Sequence, residues 1–336
     1  MILLKYKYSI LLGSRCLTKF FESEYNKSSD SDLITIVGAG KIGSACALSI
    51  VYRGISDVTM VDIQEGLAQG EALDITQASP SIGFDGVIKG SSDFADMAGS
   101  ELVIITAGYP RKPNTSRRDL ALGNAKIITS VVREVVKYAP ECNLMIVTNP
   151  VDAMTYIAYK RSGFHRSKVF GMSGILDTSR YRSNLASELN ISREDISGLV
   201  IGEHGDLMIP LIDYTTISGI PISDLLESER IEKIVQTARY SAMDVIKLKG
   251  ATVHAPASAV ALMADSIIND RKRLVCVSVI PDGEYGLKDV SIGLPVVLGK
   301  NGIEKIIELD LDRNIKSRLS DAASSIGSVI SQIHSE

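Results

Sequence analysis

The chain has 336 residues, 45% of them hydrophobic and 23% charged, a balance ordinary for a soluble globular enzyme. Its length exceeds what one hydrophobic core usually spans, so two domains or one elaborated domain are expected. Lys plus Arg (36) nearly balances Asp plus Glu (40), and no apolar run reaches the ~20 residues a membrane span needs, so neither nucleic acid nor membrane is an expected partner.

Residues 1–31 differ from the remainder. Lys5, Lys7, Arg15 and Lys19 fall in the first twenty positions without an acidic residue, and a polar stretch rich in Ser and Asp follows. This reads as a targeting presequence, a disordered extension or a misplaced start, and it is set apart from the fold. From residue 33 the pattern becomes regular. Residues 33–37 are predicted as a buried strand, 42–52 as a helix with small residues on one side, 58–61 as a strand, 67–75 as helical and 102–106 as a strand. Ile127, Ile128, Val131, Val132, Val135 and Val136 recur on one helical stripe that Pro140 ends, and 144–147 forms a further strand. Strands alternating with helices imply right-handed crossovers and a parallel sheet covered on both faces.

After about Ser173 the rhythm changes. Helices are predicted over 177–189, 231–248 and 257–268, and strands over 196–201 and 211–214. Residues 275–280 and 290–298 resemble hairpin strands around Asp282-Gly283, and Ile315 to Ile333 mark an amphipathic C-terminal helix. The expected fold is α/β: a Rossmann-type doubly wound parallel sheet followed by a mixed α+β substrate domain. The expected division is an extension at 1–31, a dinucleotide-binding domain at 32–173 and a catalytic domain at 174–336. Cys16, Cys46, Cys142 and Cys276 form no C-x-x-C pair and no zinc spacing, so free thiols in a reducing compartment and no metal are expected.

The strongest local motif is Gly38-Ala39-Gly40-Lys41-Ile42-Gly43, with a strand before it, a helix after it and Asp62 ending the next strand. Gly38 permits the tight turn, Gly40 lets pyrophosphate approach the backbone, and Gly43 lets helix pack on strand. The helix N-terminus offers free N–H groups to phosphate. Asp62 stands where a ribose diol would lie, and its charge repels a 2′-phosphate, which favours NAD over NADP. The competing reading is a glycine turn without a ligand.

A second feature, Gly202-Glu203-His204-Gly205-Asp206, sets one of only four histidines between glycines in a loop. Imidazole is the side chain best matched to taking a proton near neutral pH. Asp177 and Arg180, three apart on a helix, supply an acid to orient His204 and a planar fork to grip a carboxylate. A helix-surface ion pair is the bland alternative. The stretch Tyr109 to Asp119, with four basic residues at a strand's C-terminal end, suggests a lid over an anion or a solvated basic loop. Thr148-Asn149-Pro150 ends another strand at the same sheet edge, where Asn-Pro is also an ordinary turn signal.

Together these pieces resemble the lactate/malate dehydrogenase family, and most closely its lactate-dehydrogenase-like malate dehydrogenases, over about residue 33 to the C-terminus. The resemblance is carried by residues 37–43, Thr106-Ala107-Gly108, Pro110-Arg111-Lys112-Pro113, Val147-Thr148-Asn149-Pro150-Val151-Asp152, Leu176-Asp177-Thr178-Ser179-Arg180 and 202–206 followed by Pro210. Tyr285-Gly286 and Gly293-Leu294-Pro295-Val296 add to it. It implies that His204 is the proton acceptor with Asp177 as its partner. Arg180 would grip the substrate carboxylate and Arg117 would polarise the reacting carbonyl. Asn149 would contact both substrate and cofactor, while Val147, Thr148 and Asn124 would lie along the NAD site.

The resemblance also makes Arg111 the lid residue that separates substrates, malate enzymes carrying Arg where lactate enzymes commonly carry Gln. The physics agrees. Oxaloacetate brings a second carboxylate into a closing site, and leaving it unpaired costs several kcal/mol. The implied activity is reversible, NAD-dependent oxidation of (S)-malate to oxaloacetate, with L-lactate oxidation or a non-catalytic NAD(H) sensor as alternatives. A homo-oligomer, dimer or tetramer, is expected, in the cytoplasm or, if residues 1–31 are a presequence, the mitochondrial matrix. Asn114 and Tyr109 depart from the family's usual glycine and small aliphatic residue.

Overall fold

A computed structural model describes residues 33–110 and 117–334. The expected extension at 1–31 lies outside the described residues, as do Arg111 and Asn114. The first half is built from β1 (Leu33–Val37), α1 (Lys41–Tyr52), β2 (Asp57–Val61), α2 (Leu67–Ile82), β3 (Ile88–Ser91) and β4 (Leu102–Ile105). It continues through α3 (Arg117–Tyr138), β5 (Asn143–Ile146), α4 (Val151–Ser162) and β6 (Val169–Gly171). These strands are parallel, in the order β3-β2-β1-β4-β5-β6. The order reverses between β1 and β4. Right-handed crossovers therefore send α1 and α2 to one face and α3 and α4 to the other. Both faces being covered, β4 and β5 are buried at every position, which is why residues 102–105 and 144–146 read as unbroken apolar runs.

The second half adds α5 (Gly174–Leu189), β7 (Ile196–Ser197), β8 (Val200–Gly202), β9 (Met208–Pro210), β10 (Thr216–Ile217) and β11 (Ile220–Pro221). Then come α6 (Ser228–Lys249), α7 (His254–Ile268), β12 (Arg273–Val279), β13 (Ile292–Gly299), β14 (Gly302–Ile306) and α8 (Arg313–His334). The sheet does not stop at β6. Gly171 pairs antiparallel with Ser278 of β12, and the sheet continues through β13, β8 and β9, with β14 on the far part of β13. One apolar core runs from Ile34 to Ile330 through both halves. A smaller one, around Tyr181, Leu185, Ile231 and Val235, lies beneath α5 and α6.

Two sequence expectations are corrected. The single strand at 196–201 is two. β7 pairs with β10 in a small three-stranded sheet, and β8 joins the main sheet. The chain changes sheets at Gly198 and Leu199, and Val200 N donates to Thr178 Oγ1 at 3.1 Å as it leaves. The strand predicted at 211–214 is a 3-10 turn, Ile212–Tyr214. Strand pairing ends at Pro210, and Leu211 O accepts both Tyr214 N and Thr215 Oγ1, closing the turn locally.

Candidate active site

The site grows along the C-terminal edge of the parallel strands, where one loop is fastened to the next by side chains that bond to backbone. The glycine turn after β1 comes first. Gly38 has φ +108, and a Cβ on Gly43 would collide with the Gly38 carbonyl, so both glycines are required by the fold itself. Gly40 differs. A Cβ there would meet nothing within 4 Å, and α1 begins at this residue without a side-chain cap. Open space over uncapped helix amides fits a pyrophosphate, with Lys41 and Ile42 opening the helix. Asp62, just past β2, takes the Ala39 N–H on its Oδ2 at 2.7 Å, which fixes the turn against the residue expected to meet ribose.

Thr106 Oγ1, beyond β4, donates to Gly38 O at 2.9 Å. Thr148 Oγ1, beyond β5, donates to Ala107 O at 2.8 Å, and its methyl group fills the space a Cβ on Gly108 would need. Asn124 on α3 is buried and takes the Tyr109 N–H at 2.7 Å while donating to Asn149 O at 2.7 Å. Its amide is thus spent on tying the two loops together, and any influence on a nicotinamide passes through them. Val147 is a core residue whose N–H bonds Ile105 O. The Asn149-Pro150 bond is cis, and Asn149 Oδ1 accepts from Val151 N at 3.3 Å. Arg117 is the first residue of α3.

Asp152, in the first turn of α4, carries the chain of contacts onward. Its Oδ2 accepts the His204 backbone N–H at 2.8 Å. His204 Nδ1 lies 2.7 Å from Asp177 Oδ2, and Arg180 Nη1 donates to Asp177 Oδ1 at 3.0 Å. His204, Asp177 and Arg180, grouped already in the sequence reading, form one cluster with side chains 11%, 5% and 16% exposed. Burial pulls the His204 pKa down, but the Asp177 charge and hydrogen bond outweigh it and leave the imidazole raised above its ordinary value, with Arg180 opposing and Asp152 adding to the rise. The sequence motif that contains Asp152 gives that residue no role of its own. Nothing local singles it out, because its partners are 52 and 126 residues away.

Residues 33–171 match the family model described as lactate/malate dehydrogenase, NAD binding domain, and residues 175–336 match the lactate/malate dehydrogenase, alpha/beta C-terminal domain. The chain is 43% identical over 304 residues to a malate dehydrogenase of Staphylococcus carnosus, covering 89% of this chain and 97% of that protein. It is 44% identical over 301 residues to one of Oceanobacillus iheyensis, covering 88% and 96%. Among solved structures, Cryptosporidium parvum malate dehydrogenase superposes with a TM-score of 0.88 at 39% identity, covering 91% and 99%. The lactate dehydrogenase of the same organism, complexed with lactic acid and NAD, also reaches 0.88, at 35% identity with 92% and 100% covered. Equal TM-scores leave the choice of substrate to side chains.

Proposed function

The chain belongs to the lactate/malate dehydrogenase family, and from that premise we propose that it oxidises (S)-malate to oxaloacetate reversibly, with NAD as hydride acceptor. The observation that carries the reading is the His204–Asp177–Arg180 cluster at the end of the bonded loops that begin at the dinucleotide turn.

Asp177 accepts Nδ1–H, which leaves the Nε2 lone pair of His204 free to take the malate hydroxyl proton. The positive charge that develops on the ring is met by the Asp177 carboxylate. Arg180 holds the C1 carboxylate with the N–H groups it does not give to Asp177. Arg117 is assigned to the C2 oxygen and Arg111 to the C4 carboxylate. NAD, when bound, supplies the acceptor for the hydride leaving C2; the products are oxaloacetate, NADH and the proton on His204. In the reverse direction the His204 imidazolium returns that proton to the C2 oxygen.

L-lactate is the second reading, favoured by a TM-score to a lactate dehydrogenase equal to that for the malate dehydrogenase of the same organism. Arg111 decides against it, because pyruvate brings a methyl group where Arg111 requires an anion. Steady-state rates with NADH and either oxaloacetate or pyruvate test this: oxaloacetate is expected to be far better, and a preference for pyruvate would reverse the assignment. Tyr240, Met243 and Leu248 are exposed on α6, which supports a homo-oligomer, dimer or tetramer, checked by sedimentation. Cys46, Cys142 and Cys276 are buried free thiols, consistent with placement in the cytoplasm. N-terminal sequencing of the native protein separates that from the mitochondrial matrix.

A further inference from the structure

A carboxylate and two hydroxyls lie buried against the backbone of the His204 loop. Ser278 Oγ on β12 donates to Asp152 Oδ1 at 2.6 Å, and Ser291 Oγ lies 2.7 Å from Ser278 Oγ. Asp152 is 4% exposed, and both serines are fully buried. Because the Ser278 proton is committed to the carboxylate, Ser278 accepts from Ser291. The other oxygen of Asp152 is held by the His204 N–H. Burying a carboxylate is costly, and asparagine would offer the same outline, its one oxygen accepting the His204 N–H and its amide nitrogen donating to Ser278, whose own proton would turn to Ser291. The charge therefore calls for an explanation that shape does not give.

The geometry points to Asp152 as a second acid acting on His204: a positioning residue that clamps the backbone of the catalytic loop and adds its charge to the field favouring the imidazolium. This deepens the dehydrogenase reading and rests on it. The charged groups facing His204, among the described residues, are Asp177 and Arg180 on α5 and Asp152 on α4. Glu203 in the same loop faces Asp152, and Cys276 on β12 faces Asp177 with its thiol kept neutral, its pKa raised to about 12 by burial. Burial pushes the Asp152 carboxyl up to about 6, while the Ser278 hydroxyl and the His204 N–H, both donated to it, oppose the rise and favour the anion. Its place in the first turn of α4 favours that anion. Asp177 grips the ring and Asp152 the backbone, so the imidazole is held from both ends.

The test compares the full-length protein with Asp152→Asn and Ser278→Ala. The four histidines make His204 assignable by NMR, with His204→Asn as the reference spectrum. Asp152→Asn should lower the His204 pKa by about half a unit and cut kcat about tenfold, while NADH affinity stays at the wild-type value. Ser278→Ala should move both in the same direction by about a third as much on a logarithmic scale. A merely structural role would lower the melting temperature without moving the titration. Wild-type pKa and kcat in Asp152→Asn would overturn the proposal. Should that variant fail to fold, wild-type values in Ser278→Ala would overturn it equally. The NMR titration needs no substrate, so its failure is distinct from that of the malate reading, which would show instead as wild-type protein inert toward oxaloacetate.

Discussion

Asp177 divides its carboxylate between two neighbours: Oδ2 stands 2.7 Å from His204 Nδ1, and Oδ1 takes Arg180 Nη1 at 3.0 Å. One buried acid thus orients both the imidazole proposed as proton carrier and the guanidinium proposed to hold the substrate carboxylate. Arg180 and Asp177 are an i,i+3 pair on α5, so the helix sets their spacing, while His204 arrives from the loop between β8 and β9.

The first prediction is a pH dependence. His204 has its pKa raised in the folded protein, so the neutral ring that malate oxidation needs is populated only above that raised value. kcat/KM for malate should rise with pH through an apparent pKa above the ordinary histidine value, and oxaloacetate reduction should fall over the same range. Asp177→Asn should shift both profiles toward lower pH and reduce kcat by about a thousandfold or more. The stability contribution follows the imidazolium, as oxaloacetate reduction does. The charged pair contributes fully below the unfolded histidine pKa, and its contribution is lost as pH rises through the folded one.

A second prediction separates two glycines of one motif. A Cβ on Gly43 would strike the Gly38 carbonyl and Thr106, so Gly43→Ala should lose about 3 kcal/mol or more in denaturant unfolding. Gly40→Val adds atoms where the protein leaves open space, so its stability should stay within about 1 kcal/mol of wild type. NADH binding, followed by fluorescence, should nonetheless weaken at least about tenfold. Normal affinity in Gly40→Val would remove that space as the pyrophosphate seat.

What was legible in the sequence follows from period and context. β1, α1 and β2 with their glycines and Asp62 were readable because each local signal agrees with its neighbours. The helix α4 escaped because Val151 to Ala158 are all buried, so it carries no one-sided stripe. β3 and β6, four and three residues long, are too short to show a pattern. The division of 196–201 between two sheets depends on partners at 216–217 and 208–210, which no local window contains. In the site, His204, Asp177 and Arg180 were legible by residue type and spacing. Asp152 was not, since the contacts that single it out are made only by the fold.

The third prediction concerns substrate choice. Arg111 lies outside the described residues, but the charge argument for it is chemical. Arg111→Gln should lower kcat/KM for oxaloacetate by about a hundredfold or more and raise the value for pyruvate, measured with NADH at saturation. Unchanged selectivity would transfer discrimination to another residue.

A fourth prediction concerns the loop between β12 and β13. Arg166 reaches it with two bonds to Glu284, at 3.1 and 2.8 Å, and a third to Ile280 O at 3.1 Å. The Arg166 hydrogen bonds hold the Glu284 carboxyl down at about 2. Its stabilisation is present above the ordinary carboxylate range and is lost as pH falls toward 2. Arg166→Met should cost about 1 kcal/mol at neutral pH, the value being reduced by the partial exposure of the pair, and the difference from wild type should shrink on acidification. A gap that stays constant down to low pH would assign the loss to packing.

The central claim is that His204 moves the proton while the dinucleotide turn binds NADH independently of it. Mixing His204→Asn, saturated with NADH, with oxaloacetate and following the NADH absorbance tests it most directly. The expected result is NADH affinity equal to that of the wild type and a turnover rate at least about a thousandfold lower. Turnover within tenfold of wild type would contradict the account.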